Sequence, residues 1–186
     1  MGALAVSGIR RRAVDSPQTG GVTVRSLSRR DLDDVARIDA LHTGTSKRRY
    51  WRAVFDEFLG RAPRRDRVRL GAEVGGVLAG YLLAEVRAFE FGSPPCGWVF
   101  AVGVDPGRLR RGLASALLDE ACRRFRQAKV SQVRTMVRRT DVPVLSFFRA
   151  SGFVGGPFVQ LERDLPEGGA RPTGGRGGAA APEEDR

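Results

Sequence analysis

The stretch Val102-Gly-Val-Asp-Pro-Gly-Arg-Leu-Arg-Arg-Gly-Leu-Ala-Ser-Ala-Leu-Leu118 decides the reading of this chain. An apolar run from Val99 to Val104 ends at Asp105-Pro106, a turn signal. A short basic loop containing Gly107 and Gly112 follows, and then apolar residues recur at helical spacing (Leu113, Leu117, Ala121, Phe125) with arginines opposite. Strand, glycine-containing basic loop and helix N-terminus together suit a pyrophosphate. The first N–H groups of a helix have no intrahelical acceptor, and the helix dipole favours an anion there. Gly112 lets the backbone come close to such a ligand, and Arg108, Arg110 and Arg111 bring positive charge to the loop. A tight connection with no ligand would use the same glycines. Two familiar phosphate loops are excluded, since neither G-x-x-x-x-G-K-[ST] nor G-x-G-x-x-G occurs here.

The pattern Val104-x-Pro106-x-x-Leu109-x-x-Gly112-x-Ala114 resembles the acyl-CoA-binding motif of the GNAT N-acetyltransferase superfamily, V-x-P-x-x-[QR]-x-x-G-x-[GA]. Leu109 stands at the [QR] position, flanked by Arg108 and Arg110. A second block, Asp141 to Phe153, is similar to the family's N-x-x-A-x-x-x-Y-x-x-x-G-F element. Gly152 and Phe153 match it, while Asp141, Val144 and Phe148 replace the usual Asn, Ala and Tyr. The likeness runs from about Val22 to Leu165. It implies acetyl-CoA as co-substrate, held by Val102, Val104, Leu109, Arg110, Arg111, Gly112, Leu113, Ala114, Asp141 and Phe148. Backbone groups of the strand at Val102 and Val104 would meet the pantetheine amides and the thioester carbonyl. It also implies direct acetyl transfer to a primary amine of a small molecule or peptide, and it leaves a homodimer open.

At 186 residues the chain suits one domain with a full core. The expected organisation is an irregular arm over 1–20, one α/β domain over 21–165, and a Gly/Ala/Pro-rich tail over 166–186. Within the domain, Val22 to Leu27 alternates as a strand. Ser28 with Asp31 then opens a helix, and Ser46 can cap a second one ending at Leu59. Val68 to Val74 and Val77 to Phe89 form a hairpin around Gly75-Gly76. Trp98 to Val104 leads into the glycine loop, and the helix beginning at Leu113 follows it. A strand over Gln132 to Val137, a helix over Val142 to Ala150 and a last strand over Phe158 to Arg163 complete the order. That order fits a single mixed β-sheet flanked by helices, which is also the fold the resemblance implies.

Composition narrows the alternatives. A hydrophobic fraction of 41% is that of a globular protein, and no apolar run approaches the ~18 residues that span a bilayer. The N-terminal basic cluster follows its weakly apolar stretch, the reverse of a secretory signal. Cys96 and Cys122 are expected to be reduced in a cytoplasmic protein. The formal net charge is +11, yet Lys47 and Lys129 are the only lysines. Scattered arginines without interleaved aromatics read as compositional bias rather than as a nucleic-acid platform.

Acyl transfer to an amine needs a base for the ammonium and a proton for the departing thiolate. Phe148 has no proton to give, and the only tyrosines are Tyr50 and Tyr81. Glu85 is the first candidate base, with Glu90 and Asp39 behind it; an ion pair with Arg87 is its ordinary reading. His42, the sole histidine, reads as a surface residue without a role. No Cys/His cluster has metal-ligand spacing. A thiolate leaves tolerably without an acid, so Phe148 is compatible with catalysis; it is equally compatible with a non-catalytic acyl-CoA-binding regulatory module.

Overall fold

The computed structural model describes residues 21–60, 66–88, 92–109 and 111–165. The arm over 1–20 and the tail over 166–186 lie outside the described residues, as do Arg110 and Glu90.

Alternation of apolar residues builds five strands: β1 (Val22–Ser26), β2 (Arg67–Val74), β3 (Val77–Arg87), β4 (Cys96–Val104) and β5 (Val133–Thr135). They lie side by side in sequence order. β1 to β4 pair antiparallel, and β5 joins β4 in parallel, so the sheet is mixed as expected. The helices are α1 (Leu32–Thr43), α2 (Arg48–Leu59), α3 (Leu113–Gln127) and α4 (Val142–Ala150).

The two faces of the sheet bury separate apolar clusters. Leu82, Val99, Leu117, Ala121, Phe125 and Phe148 pack on the α3 and α4 side. Val35, Ile38, Trp51, Phe55, Tyr81 and Leu83 pack on the α1 and α2 side. Alternation along β3 sends successive side chains to opposite faces, which is how one strand feeds both cores. The start of α1 is fixed by polar contacts. The backbone N–H and hydroxyl of Ser28 both donate to Asp31 Oδ2, at 2.7 and 2.9 Å, and Arg25 donates to both Asp31 oxygens.

Three local expectations need correction. Lys47, not Ser46, is the residue before α2. The strand expected over Gln132 to Val137 forms only at Val133–Thr135, because β4 offers partners at Gly97, Trp98 and Val99 alone. Phe158 to Arg163 forms no strand. The described residues to Phe153 make one compact unit, while 154–165 belong to a second with no helix or strand and every residue exposed. A strand needs a neighbour for its N–H and C=O groups, and among the described residues the sheet has five members, none of them beyond Phe153. Gly155-Gly156-Pro157, just before the segment, adds little side-chain surface and lacks one N–H.

Candidate active site

The site begins with an extra residue in β4. Leu83 lies opposite Ala101 and Ala84 opposite Val99, leaving Phe100 as a bulge. The last pair between β4 and β5 is Val99 with Thr135. Beyond that point β4 continues to Val104 paired with β3 on one side only, and among the described residues no strand covers its other edge. A bulge advances the backbone phase by one residue. Below it, the Val99 carbonyl faces β5 and accepts from Thr135 Oγ1 at 2.9 Å. Above it, Val102 and Val104 take that outward phase. The Val104 carbonyl accepts from His42 Nε2–H of α1 at 2.7 Å. His42 therefore ties α1 to the end of the open strand, a role its isolation in the sequence did not disclose.

The glycine loop closes the upper end. Asp105 anchors its base: Gly107 N–H donates to Oδ1 and Arg37 Nη1 to Oδ2, each at 3.0 Å. Arg37 foremost, with the Gly107 N–H, holds the Asp105 carboxyl below its usual range. Gly112 has φ +72°, a left-handed conformation that glycine adopts without a Cβ penalty. Its carbonyl accepts from Ala116 N–H, the start of the α3 ladder. The N–H groups of Leu113, Ala114 and Ser115 precede that first rung.

Two cavities meet along the open edge. The one beside the loop, of about 790 Å3, is lined by Val102, Val104, Arg108, Leu109, Gly112, Leu113, Ala114 and Asp141, together with His42. The other, of about 550 Å3, is lined by Lys47, Tyr50, Trp51, Phe100, Arg138 and Phe148. Asp39, Tyr81, Val102, Asp141 and Val144 border both. Tyr81 is buried against Trp51, ring centroids 5.2 Å apart and edge to face. Burial first, then the Asp39 charge and Tyr50, push its phenol well above the ordinary value. Asp39 Oδ2 lies 3.4 Å from Lys47 Nζ and has no hydrogen-bond partner.

Most of the expected loop residues come together, with three corrections. Arg111 is exposed and borders neither cavity. Phe148 borders the second cavity rather than the loop-side one; it is buried, with Phe147 and Phe153 packed around it at centroid distances of 5.0 Å. Asp141 caps α4, accepting from Val144 N–H at 3.3 Å, and its helix brings it to both cavities. Glu85 is misplaced as a base. It pairs with Trp98, whereas Tyr81 pairs with Gly103, so it sits four residues along β3, roughly 13 Å from the junction. There it is buried and ion-paired with Arg87, with Arg67 Nε 3.8 Å away. Alternation along a strand does not give a residue's height against its neighbours, which the register fixes.

Among the described residues, no group of His, Cys, Asp and Glu could hold a metal ion, and no helix is long and apolar enough to cross a membrane. The open edge, the loop and the helix N-terminus border one continuous opening. The chain matches the Acetyltransferase (GNAT) family over residues 32–153 and belongs to that family. The aminoglycoside N-acetyltransferase AAC(6')-Iy, solved in complex with CoA, shares the fold with a TM-score of 0.68 and 17% identity; 80% of this chain and 98% of that one are covered. The aminoglycoside 6'-N-acetyltransferase AAC(6')-IG of Acinetobacter haemolyticus gives a TM-score of 0.64 at 16% identity, covering 77% and 99%. A mycothiol acetyltransferase of Saccharomonospora viridis is 38% identical over 64 residues, 34% of this chain; the match spans 21% of that longer protein.

Proposed function

We propose that this protein transfers the acetyl group of acetyl-CoA directly to a primary amine of a small-molecule or peptide acceptor. The observation that carries the reading is the continuous opening along β4, from the α3 N-terminus to the junction where Asp39 and Tyr81 border both cavities. The N–H groups of Leu113, Ala114 and Ser115, with Arg108 and Arg110, would hold the pyrophosphate. Val102 offers outward backbone groups to the pantetheine arm and thioester carbonyl; the Val104 carbonyl is already occupied by His42. Acetyl-CoA supplies the activated acyl group. Asp39 removes the proton from the acceptor ammonium, directly or through one water, and Lys47 beside it disfavours the ammonium form. The amine nitrogen then bonds to the acyl carbon as the carbon–sulfur bond breaks. Tyr81 donates its hydroxyl proton to the departing sulfur, supplying the group that Phe148 lacks; the second proton leaving the nitrogen returns to the Tyr81 oxygen, and Asp39 releases its proton to solvent. Cys96 and Cys122, neither of them in a disulfide among the described residues, support a reducing, cytoplasmic setting.

A second reading, a non-catalytic acyl-CoA-binding regulatory module, is favoured by Phe148 alone. Acetyl-CoA-dependent thiol release across a panel of primary amines separates the two. Turnover that falls about 10²-fold or more in Asp39→Asn, with acetyl-CoA still bound, supports catalysis through this junction. Binding of acetyl-CoA without amine-dependent thiol release overturns it.

A further inference from the structure

The walls of the second cavity carry information about the acceptor that the loop does not. Five residues around it are aromatic: Tyr50, Trp51, Tyr81, Phe100 and Phe148. Tyr50, Trp51 and Tyr81 form a chain of edge-to-face rings, with successive centroids 5.3 and 5.2 Å apart. Trp51, Tyr81 and Phe148 are buried, so Tyr50, which is exposed, and Phe100, which is half-buried, offer the flat, rigid apolar surface open to a ligand at little entropic cost. The charges around the same cavity balance, Asp39 and Asp141 against Lys47 and Arg138.

We infer that the acceptor is a primary monoamine with an aromatic body, its amine at Asp39 and its ring against Tyr50 and Phe100. This inference rests on the acetyltransferase reading and specifies the substrate class of its site. Size supports it, because a cavity of about 550 Å3 takes a small ring-bearing amine easily. Charge excludes the main competitors. A polyamine or an aminoglycoside brings several ammonium groups. One can pair with Asp39 at the junction, but the others meet Lys47 and Arg138 in a wall that, among the described residues, holds one further carboxylate, Asp141, whose Oδ1 caps α4. An unpaired like charge in such a setting is strongly disfavoured. An aromatic monoamine places a single cation at the carboxylate and brings no second charge to Lys47 and Arg138.

The test compares phenethylamine and tryptamine with spermidine, kanamycin and propylamine, by thiol release at saturating acetyl-CoA and by calorimetry on the CoA-saturated protein. The expected result is a kcat/KM at least tenfold higher for the aromatic monoamines than for any of the other three. Tyr50 is 53% exposed, so its substitution spares the fold. Tyr50→Ala should narrow the ratio of phenethylamine to propylamine severalfold, and Tyr50→Phe should restore it. Faster turnover of spermidine, kanamycin or propylamine overturns this inference while leaving the acetyltransferase reading intact. Acetyl-CoA binding with no thiol release from any amine overturns both.

Discussion

Tyr81 and Gly103 face each other across β3 and β4, and the tyrosine ring fills the space that a side chain at residue 103 would need. A Cβ built on Gly103 would lie 2.6 Å from Tyr81 Cε1 and 2.9 Å from its hydroxyl oxygen. The glycine therefore keeps the phenol seated between the strand and Trp51, at the border of both cavities.

Gly103→Ala must push that ring aside, and Trp51 stands behind it. The substitution is expected to destabilise the fold by about 1–3 kcal/mol, the usual cost of overpacking. It should also lower kcat more than it weakens acetyl-CoA binding. Urea unfolding and steady-state kinetics check both; an unchanged kcat in the folded variant would separate Tyr81's position from the chemistry.

Tyr81→Phe keeps the ring and removes only the proton. If the hydroxyl serves the departing sulfur, kcat falls by about tenfold or more with acetyl-CoA affinity unchanged. Burial raises the folded-state value of this phenol above its ordinary one, so the proton stays on as the pH passes the usual tyrosine range. Wild-type turnover should consequently show no alkaline loss near pH 10 attributable to this group. A pH–rate profile of both proteins measures it.

Gly112→Val attacks the loop twice. The left-handed backbone at this residue resists a β-branched side chain, and the added bulk covers the approach to the first N–H groups of α3. Acetyl-CoA affinity should drop at least tenfold, about 1.4 kcal/mol, by calorimetry on protein shown to be folded. Gly112→Asn, better tolerated at positive φ, should retain more stability while still weakening binding.

Arg25 offers a test of the frame around α1. Its guanidinium donates to both oxygens of Asp31 and to Glu73. Burial pushes the Asp31 carboxyl up, but the hydrogen bonds from Arg25 and Ser28 outweigh it and hold the group below its ordinary 3.8. A folded-state value below the unfolded one means the stabilisation is fully present above about pH 4. It is lost as the pH falls through the lower folded value. Arg25→Met removes the cation and strands a buried carboxylate, costing about 3 kcal/mol at neutral pH. Its acid-unfolding midpoint should move to higher pH; circular dichroism across pH 2–7 reads the shift.

The loop was legible because its parts are contiguous. Val104, Pro106, Gly112 and Ala114 lie within eleven residues of one another, and strand, turn and helix signals coincide there. The sheet followed from alternation, and α3 from its apolar stripe. The acceptor side was not legible, because its members converge from α1, α2, β3 and β4. His42 is 62 residues from the carbonyl it meets. In one dimension Glu85 stands ahead of Asp39 as the candidate base, and only the register of β3 on β4 removes it from the junction. The bulge at Phe100, which turns Val102 and Val104 outward, leaves no mark in an unbroken apolar run. The absent strand at Phe158 to Arg163 shows the converse: alternation alone does not supply a partner.

The central claim is acetyl transfer from acetyl-CoA to an amine in this cleft. Acetyl-CoA labelled with 13C in both acetyl carbons, incubated with the protein and the amine giving the fastest thiol release, tests it by mass spectrometry of the products. The account predicts an N-acetylated amine carrying both labelled carbons, with one CoA thiol released per amide formed. Label found only in unreacted acetyl-CoA or in free acetate, with every primary amine tried and with acetyl-CoA bound, would contradict it.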